Sequence, residues 1–368
     1  MSTATTPSLA TLLSTYQLGP ITLSNHIVMA PMTRSRAIGN VPNPLMATYY
    51  HQRASVGLII TEGTSPSPNG LGYARIPGLY NQEQANGWSL VADAVHKAGG
   101  KVFVQLMHTG RVGHQDNLPT GAEIIAPSAL SSGGQMWTDS TMSTQAEPTP
   151  RALETAEIEA VIAEYVNSAK LAIEAGLDGV ELHAANGYLL EQFLNPISNH
   201  RTDNYGGTAE NRNRFVLEVA KAVAAAIGAD RTGIRISPYG VFNGLGSFEG
   251  IDDQFLALVK GLNDLGLVYL HLVNHEAMGA PALPANLTSD LRAAFKQTFI
   301  LSGGYDAAKA EADLIADKGD LVAFGRPLIG NPDFVARVTA GHALAAFDPN
   351  LLYTHDEKGY SDYPVFGA

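Results

Sequence analysis

The chain of 368 residues contains no cysteine. That excludes disulfides, thiolate nucleophiles, cysteine-ligated zinc and cysteine-ligated iron–sulfur clusters. Positive charge is scarce: 23 Lys plus Arg stand against 35 Asp plus Glu, a net charge of −12. A nucleic-acid-binding surface is not expected with that balance, while a local basic pocket for a phosphate is compatible with it. No apolar run is long enough to span a bilayer, so no membrane partner is expected. No Lys, Arg, Asp or Glu precedes Arg34. A secretory signal needs a basic start, so the expected location is the cytoplasm. Internal repeats and linker-like low-complexity segments are also missing. What is present is globular: 45% of residues are hydrophobic, in a chain long enough for a sizeable core.

Eight apolar, β-branched-rich runs recur along the chain, at 27–32, 58–62, 101–107, 179–183, 232–237, 269–273, 299–302 and 321–324. Helical patterns lie between most of them, at 82–98, 156–175, 209–225, 253–265 and 307–318. Glycines such as Gly99-Gly100 and Gly176 mark helix ends, where a left-handed cap is expected. Eight strands alternating with helices predict an α/β fold, a (β/α)8 TIM barrel forming one domain over 1–368. A doubly wound sheet is the alternative, but no GxGxxG follows the first strand. Residues 1–15 read as a polar lead-in. Two short alternating runs around Gly19-Pro20 predict an N-terminal β-hairpin that plugs the bottom of the barrel. The spacing breaks once, after strand 3. Residues 109–155, with Pro119, Pro127, Gly133-Gly134, Pro148 and Pro150, form a capping excursion expected to roof the mouth, with Trp137 as lid packing.

The densest chemistry lies at 179–196, GVELHAANGYLLEQFLNP. Val180 and Leu182 alternate with Glu181, and His183 arrives where the strand opens into a loop. In a barrel of parallel strands, that end carries the active site. A helical turn after His183 sets Asn186 beside it, so both side chains can donate to one point. Tyr188 adds a proton source of unperturbed pKa about 10. Two donors on one oxygen plus a nearby acid form a device for reducing a polarised double bond.

Gln105 and Arg235 interrupt strands that should be buried. A buried guanidinium needs an anionic or strongly accepting partner, and a buried amide needs hydrogen bonds of its own. An internal salt bridge or a polar core network is the plain reading. The functional one is a planar heterocycle with an amide-like edge that accumulates negative charge, such as the pyrimidine side of a reduced flavin. Gly303-Gly304 and Gly325-Arg326 follow the seventh and eighth strands, where barrels commonly bind phosphate. The combined expectation is one FMN lying across the barrel mouth.

Six stretches in order resemble the Old Yellow Enzyme family of FMN-dependent ene-reductases. They are APMTR (30–34), VQLMHTGR (104–111), HAANGYLLEQFLNP (183–196), NYGGTAENRNRF (204–215), IRISP (234–238) and FGRPLIGNPDF (324–334). The resemblance runs from about Gln17 to Pro364. It implies that Pro31, Met32 and Thr33 lie along the flavin, with Thr33 near its N5/O4 edge, and that Gly63 faces the ring. It implies further that Gln105 and Arg235 bind the pyrimidine edge and that Gly303, Gly304, Gly325 and Arg326 hold the phosphate. His183 and Asn186 would bind the substrate's carbonyl or nitro oxygen, and Tyr188 would deliver the proton. Tyr73, Phe242 and Tyr353 would line the substrate pocket. NADPH or NADH would be the reductant, with Arg75, Arg111 and His114 as candidates for telling them apart. No metal is implied, and the family contains monomers and homodimers.

Two departures stand out. The family often has Trp where this chain has Met107, which changes the packing behind the flavin or at the pocket wall. Its donor pair is either His/His or His/Asn, and here it is His183/Asn186. Because Asn does not titrate, pH dependence is expected from His183 and Tyr188 only. Three rival readings remain. An iron–sulfur dienoyl-CoA-type reductase is opposed by the lack of cysteine. A metal-dependent barrel lyase lacks a second His or carboxylate near His183. A non-catalytic flavin-binding protein would bind FMN without turnover. His51, His96 and His271 read as structural or surface residues.

Overall fold

A computed structural model describes residues 9–367 of the chain. Positions 1–8 of the expected lead-in lie outside the described residues. The rest of that segment is anchored: Leu12 is buried, and the Thr11 and Leu12 N–H groups donate to the Glu311 carboxyl at 3.0 and 2.7 Å.

Eight parallel strands close into a barrel. They are β1 (Ile27–Met29), β2 (Leu58–Thr64), β3 (Val102–Leu106), β4 (Gly179–Ala184), β5 (Thr232–Ile236), β6 (Tyr269–Val273), β7 (Thr298–Ser302) and β8 (Leu321–Phe324). Each pairs with its sequence neighbour, and β8 closes on β1. Both faces are buried, so the strands read as near-continuous apolar runs. One set of side chains, among them Val28, Leu58, Ile60, Phe103, Ile300 and Leu321, fills the interior. The alternate set, among them Val104, Leu106, Val180, Leu182, Ile234 and Leu270, packs against the helices. This parity turns Gln105, Glu181, His183, Arg235 and His271 inward, on the interior side of their strands.

The helices that carry the fold are α1 (Pro44–Gln52), α2 (Gln82–Lys97), α3 (Ile158–Glu174), α4 (Leu189–Leu194), α5 (Ala209–Ile227), α6 (Ile251–Asp264), α7 (Ala285–Ala294), α8 (Ala307–Ile315), α9 (Arg326–Gly330) and α10 (Phe334–Ala340). Their starts are written locally. Asn81, Thr208 and Asp306 each cap a helix by accepting a backbone N–H. On α2, Ala85, Trp88, Val91, Ala92 and Val95 form the buried stripe, at spacings of three and four.

The hairpin Tyr16–Leu18/Ile21–Leu23 is antiparallel, and its Leu18 and Leu23 join the interior cluster, closing the end opposite the strand C-termini. The excursion 109–155 carries a second hairpin, Gln135–Thr138 paired with Ser143–Ala146. It also holds a parallel two-residue pairing of Ile125–Ala126 with Arg151–Ala152. At the other end of the chain, residues 349–360 return to the mouth. Arg34 donates to Leu352 O at 3.2 Å and Gly359 O at 2.6 Å, and Arg36 to Leu351 O at 2.9 Å.

Candidate active site

A cavity of about 950 Å³ opens at the C-terminal ends of the strands. The strands and the loops that follow them contribute Pro31, Thr33, Gly63, Gln105, His183 and Arg235 to its wall, and the β4–α4 turn contributes Asn186 and Tyr188. Tyr73 and Tyr353 close two sides. The hairpin of the excursion supplies Met136, Trp137, Asp139 and Met142. The excursion therefore overhangs the mouth, as its length suggested.

Below the cavity lies a buried polar layer. Gln105 Nε2 donates to Glu181 Oε1 at 2.8 Å, and Glu181 Oε2 lies 2.8 Å from His271 Nδ1. A carboxylate oxygen only accepts, so Glu181 fixes which end of the Gln105 amide points where. The amide oxygen of Gln105 is left for the cavity. Arg235 is buried, and no protein acceptor takes its guanidinium among the described residues; its Nε is a buried donor without a partner. Burial presses the Arg235 guanidinium below its ordinary pKa, with Glu181 opposing. An unpaired buried cation beside an unpaired amide oxygen calls for a ligand edge that both accepts and donates. The pyrimidine edge of a flavin is such an edge, so these residues fit FMN. Gly63 adds a flat wall, because a Cβ there would collide with the Met107 side chain. Met107 packs with Leu71 and Ile76, against Tyr73, Tyr80 and Tyr188.

His183 and Asn186 meet, but not through a helical turn. Asn186 and Gly187 have φ of +59° and +77°, a left-handed reversal that directs the Asn186 side chain back toward the strand end. Asn186 Nδ2 lies 3.4 Å from His183 Nε2. The reversal is costly for a non-glycine residue and is held on all sides. Asn186 N donates to Ser237 Oγ at 2.9 Å, and Asn243 Nδ2 donates to Asn186 O at 2.7 Å. Gly187 N donates to Glu191 Oε2 at 2.6 Å, and Gln192 Nε2 donates to Gly187 O at 2.7 Å. Gly187 itself is required, since a Cβ would sit 2.7 Å from Phe242 O.

The Tyr188 hydroxyl lies 3.0 Å from that of Tyr73. Burial raises the pKa of both phenols, so Tyr188 keeps its proton at neutral pH. His183 is pushed well below its ordinary value, by burial first and by Arg235 second. It is therefore a neutral donor, and the expectation that it titrates in the working range does not hold. The titrating group of this loop is one that the sequence did not single out: burial pushes the Glu191 carboxyl up to about 8.

Six of the expected residues lie off the cavity wall. Met32 packs beside Gly325 and against the main core. The Phe242 ring stands edge-on to His275, with centroids 4.7 Å apart. Gly303 and Gly304, at φ of +131° and +66°, follow β7. Gly325 and the exposed Arg326 follow the neighbouring β8, so the four share one side of the mouth. The sequence reading missed the rim built by Ser35, Ile38, Asp139, Met142 and His355. The length of the excursion signalled only Asp139 and Met142; nothing in the sequence pointed to Ser35, Ile38 or His355. Of the three candidates for cofactor discrimination, Arg111 gives its guanidinium to Asn243 O and Gly244 O. Arg75 pairs with Asp139 and donates to Ser35 O and Tyr353 O, and His114 accepts from Asp116 N.

The profile of the NADH:flavin oxidoreductase / NADH oxidase family matches residues 12–345. 12-Oxophytodienoate reductase 7 of Oryza sativa subsp. japonica is 40% identical, over 97% of this chain and 95% of its own length. The structure of morphinone reductase, a protein also solved in complex with tetrahydroNAD, superposes with a TM-score of 0.93 at 42% identity, covering 97% of both chains. That of the old yellow enzyme homologue from Zymomonas mobilis gives 0.92 at 38% identity, covering 96% of this chain and 99% of that one. The chain accordingly belongs to the NADH:flavin oxidoreductase / NADH oxidase family, in its Old Yellow Enzyme group, and is an FMN-dependent oxidoreductase with a nicotinamide reductant.

Proposed function

We propose that this protein reduces the C=C bond of alkenes activated by a carbonyl, imide or nitro group, in two half-reactions at one cavity. When bound, FMN supplies the redox chemistry, taking a hydride from NADH or NADPH and giving it to the alkene β-carbon. Thr33, Gly63, Gln105 and Arg235 would hold its ring, with Pro31 and Met32 along one side. Gly303, Gly304, Gly325 and Arg326 would hold its phosphate. His183 and Asn186 bind the activating oxygen and stabilise the charge that develops on it. Tyr188 gives its hydroxyl proton to the α-carbon. Tyr73, hydrogen-bonded to that hydroxyl, orients it and lines the substrate pocket with Tyr353. Residues 109–155 cap a single barrel domain and keep water from the reacting atoms.

The carrying observation is one cavity that joins an unpartnered buried guanidinium to a two-donor pair and a phenol that keeps its proton. The mouth bears on substrate size. Ile38, Trp137, Met142 and Tyr353 are exposed apolar side chains on its rim. They favour enones that carry an extended apolar body over small ones.

Anaerobic titration of the purified protein tests the reading. Its yellow band should bleach with NADH or NADPH and return with 2-cyclohexenone or N-ethylmaleimide. A band that bleaches and never returns would remove the alkene assignment. A protein with no yellow band after addition of FMN would remove the cofactor as well.

A further inference from the structure

The reversal at Asn186–Gly187 puts two successive residues in the left-handed region, and both of its N–H groups end on one small relay. Gly187 N donates to Glu191 Oε2 at 2.6 Å, Glu191 Oε1 lies 2.9 Å from Ser237 Oγ, and Ser237 Oγ accepts from Asn186 N at 2.9 Å. Glu191 and Ser237 are buried, and neither lines the cavity. A carboxyl buried without a cation is expensive unless it has a structural or functional use. Here, its two oxygens span the two residues that set the donor pair and the phenol.

We propose that Glu191, acting through Ser237, is the positioning residue that holds the Asn186–Gly187 reversal and so sets Asn186 and Tyr188 for alkene reduction. The inference rests on the proposed ene-reductase reading. It explains why the chain tolerates a left-handed asparagine where a helical turn would be cheaper. The relay runs one way: Ser237 Oγ accepts from Asn186 N–H and donates to Glu191 Oε1, while Glu191 Oε2 accepts from Gly187 N–H.

The charged and titratable groups nearby do not compensate an ionised Glu191. Tyr239 and Asp252, from the β5–α6 region, are hydrogen-bonded to each other at 2.9 Å. Arg212 of α5 turns its guanidinium to Leu194 O at 3.0 Å and to Gln254. None of the three bonds Glu191 among the described residues. Burial raises the carboxyl to about 8, against the hydrogen bonds from Gly187 and Ser237, which lower it.

The test compares the holoenzyme with its Glu191→Ala, Ser237→Ala and Glu191→Gln variants in anaerobic stopped flow, with melting temperature recorded alongside. Glu191→Ala and Ser237→Ala should slow reoxidation by the alkene by about 10- to 100-fold, the range for a displaced reacting group, and slow reduction by NADH far less. Glu191→Gln keeps an acceptor for Gly187 N–H and a polar group facing Ser237 Oγ, and should restore most of the wild-type reoxidation rate that Glu191→Ala loses. If Glu191→Ala does not fold, Ser237→Ala carries the same comparison. Equal slowing of both half-reactions together with a lower melting temperature would mean a purely structural residue, and overturns the proposal. Wild-type rates in both alanine variants overturn it as well. A wild type that NADH bleaches and no alkene reoxidises removes the parent reading, and this inference with it.

Discussion

Arg235 and His183 occupy paired positions on β5 and β4, and burial acts on both in the same direction. It acts to opposite effect. The guanidinium stays protonated because its intrinsic pKa is so high, and it remains a cation waiting for an acceptor. The imidazole loses its charge and becomes a neutral donor. A neutral donor binds a carbonyl oxygen weakly in the ground state and more strongly once negative charge arrives, which is the differential that lowers a barrier. His183→Ala should therefore cost roughly 10²–10³ in the alkene half-reaction, the usual loss for one oxyanion donor. Tyr188→Phe keeps the ring among Tyr73, Met107 and His183 and removes only the proton. It should slow the alkene half-reaction and leave reduction by the nicotinamide nearly untouched. Rapid-mixing measurements separate the two halves, and equal slowing of both in Tyr188→Phe would remove the proton-donor role.

The hairpin Gln135–Ala146 reaches the mouth through one ion pair. Arg75, at φ +56°, pairs with Asp139, while its other nitrogens hold Ser35 O and Tyr353 O. One guanidinium thus ties the hairpin, the loop after β1 and the C-terminal return into a rim. A side chain so engaged has its charge paired and three of its five N–H donors committed, so it is poorly placed to take the 2′-phosphate of NADPH. Asp139→Asn keeps an oxygen for the Trp137 Nε1 donor, now 3.0 Å away, and frees the cation. The ratio of kcat/KM for NADPH to that for NADH should rise about fivefold, the worth of roughly 1 kcal/mol for a half-exposed charge pair. An unchanged ratio would show that the 2′-phosphate never approaches Arg75. Elements such as this hairpin also mark the limit of what the sequence discloses. All eight barrel strands were legible, because burial on both faces makes each a short, mostly apolar run. The helices α2, α3, α5, α6 and α8 were legible from their stripes. α1 and α7 were not: the Tyr, His and Gln of α1 mask its period, and α7 spaces its buried Leu287 and Leu291 among polar residues. Among the site residues, those on strand ends were found by position. Glu191 and Ser237 were not, since a carboxylate and a hydroxyl inside apolar stretches look like ordinary surface positions until the reversal that needs them is seen.

For the molecule as a whole, the same burial sets a pH window. His108 is lowered to about 3 and His275 to about 4, each chiefly by burial. His183 lies well below its ordinary value, and His271 is lowered despite Glu181. An unfolded chain protonates all four near pH 6.5, and the folded one takes up those protons at lower pH. Between pH 6.5 and about 4.5, the unfolded state therefore binds more protons, and stability falls as pH falls. A histidine that stays neutral over this range contributes about 1.4 kcal/mol per pH unit, so His108 and His275 alone contribute roughly 2.8 per unit, against the 5–15 kcal/mol typical of a folded domain. On the other side, Glu62 and Glu191 have carboxyls raised by burial, Glu191 to about 8. Their contribution is complete below the unfolded value near 4.3 and is lost as pH rises toward the folded one. The two slopes oppose each other between pH 4.5 and 6.5, where four histidines outweigh two carboxyls. The melting temperature of the holoenzyme should accordingly climb steeply from pH 4.5 to 6.5, level off near neutrality and decline toward pH 9. His275→Asn removes one of the four without touching the donor pair, and should make the acid limb measurably shallower. A melting temperature that stays flat from pH 4.5 to 6.5 would mean that these histidines take up protons in the folded state, and that the barrel mouth is wetter than its burial implies.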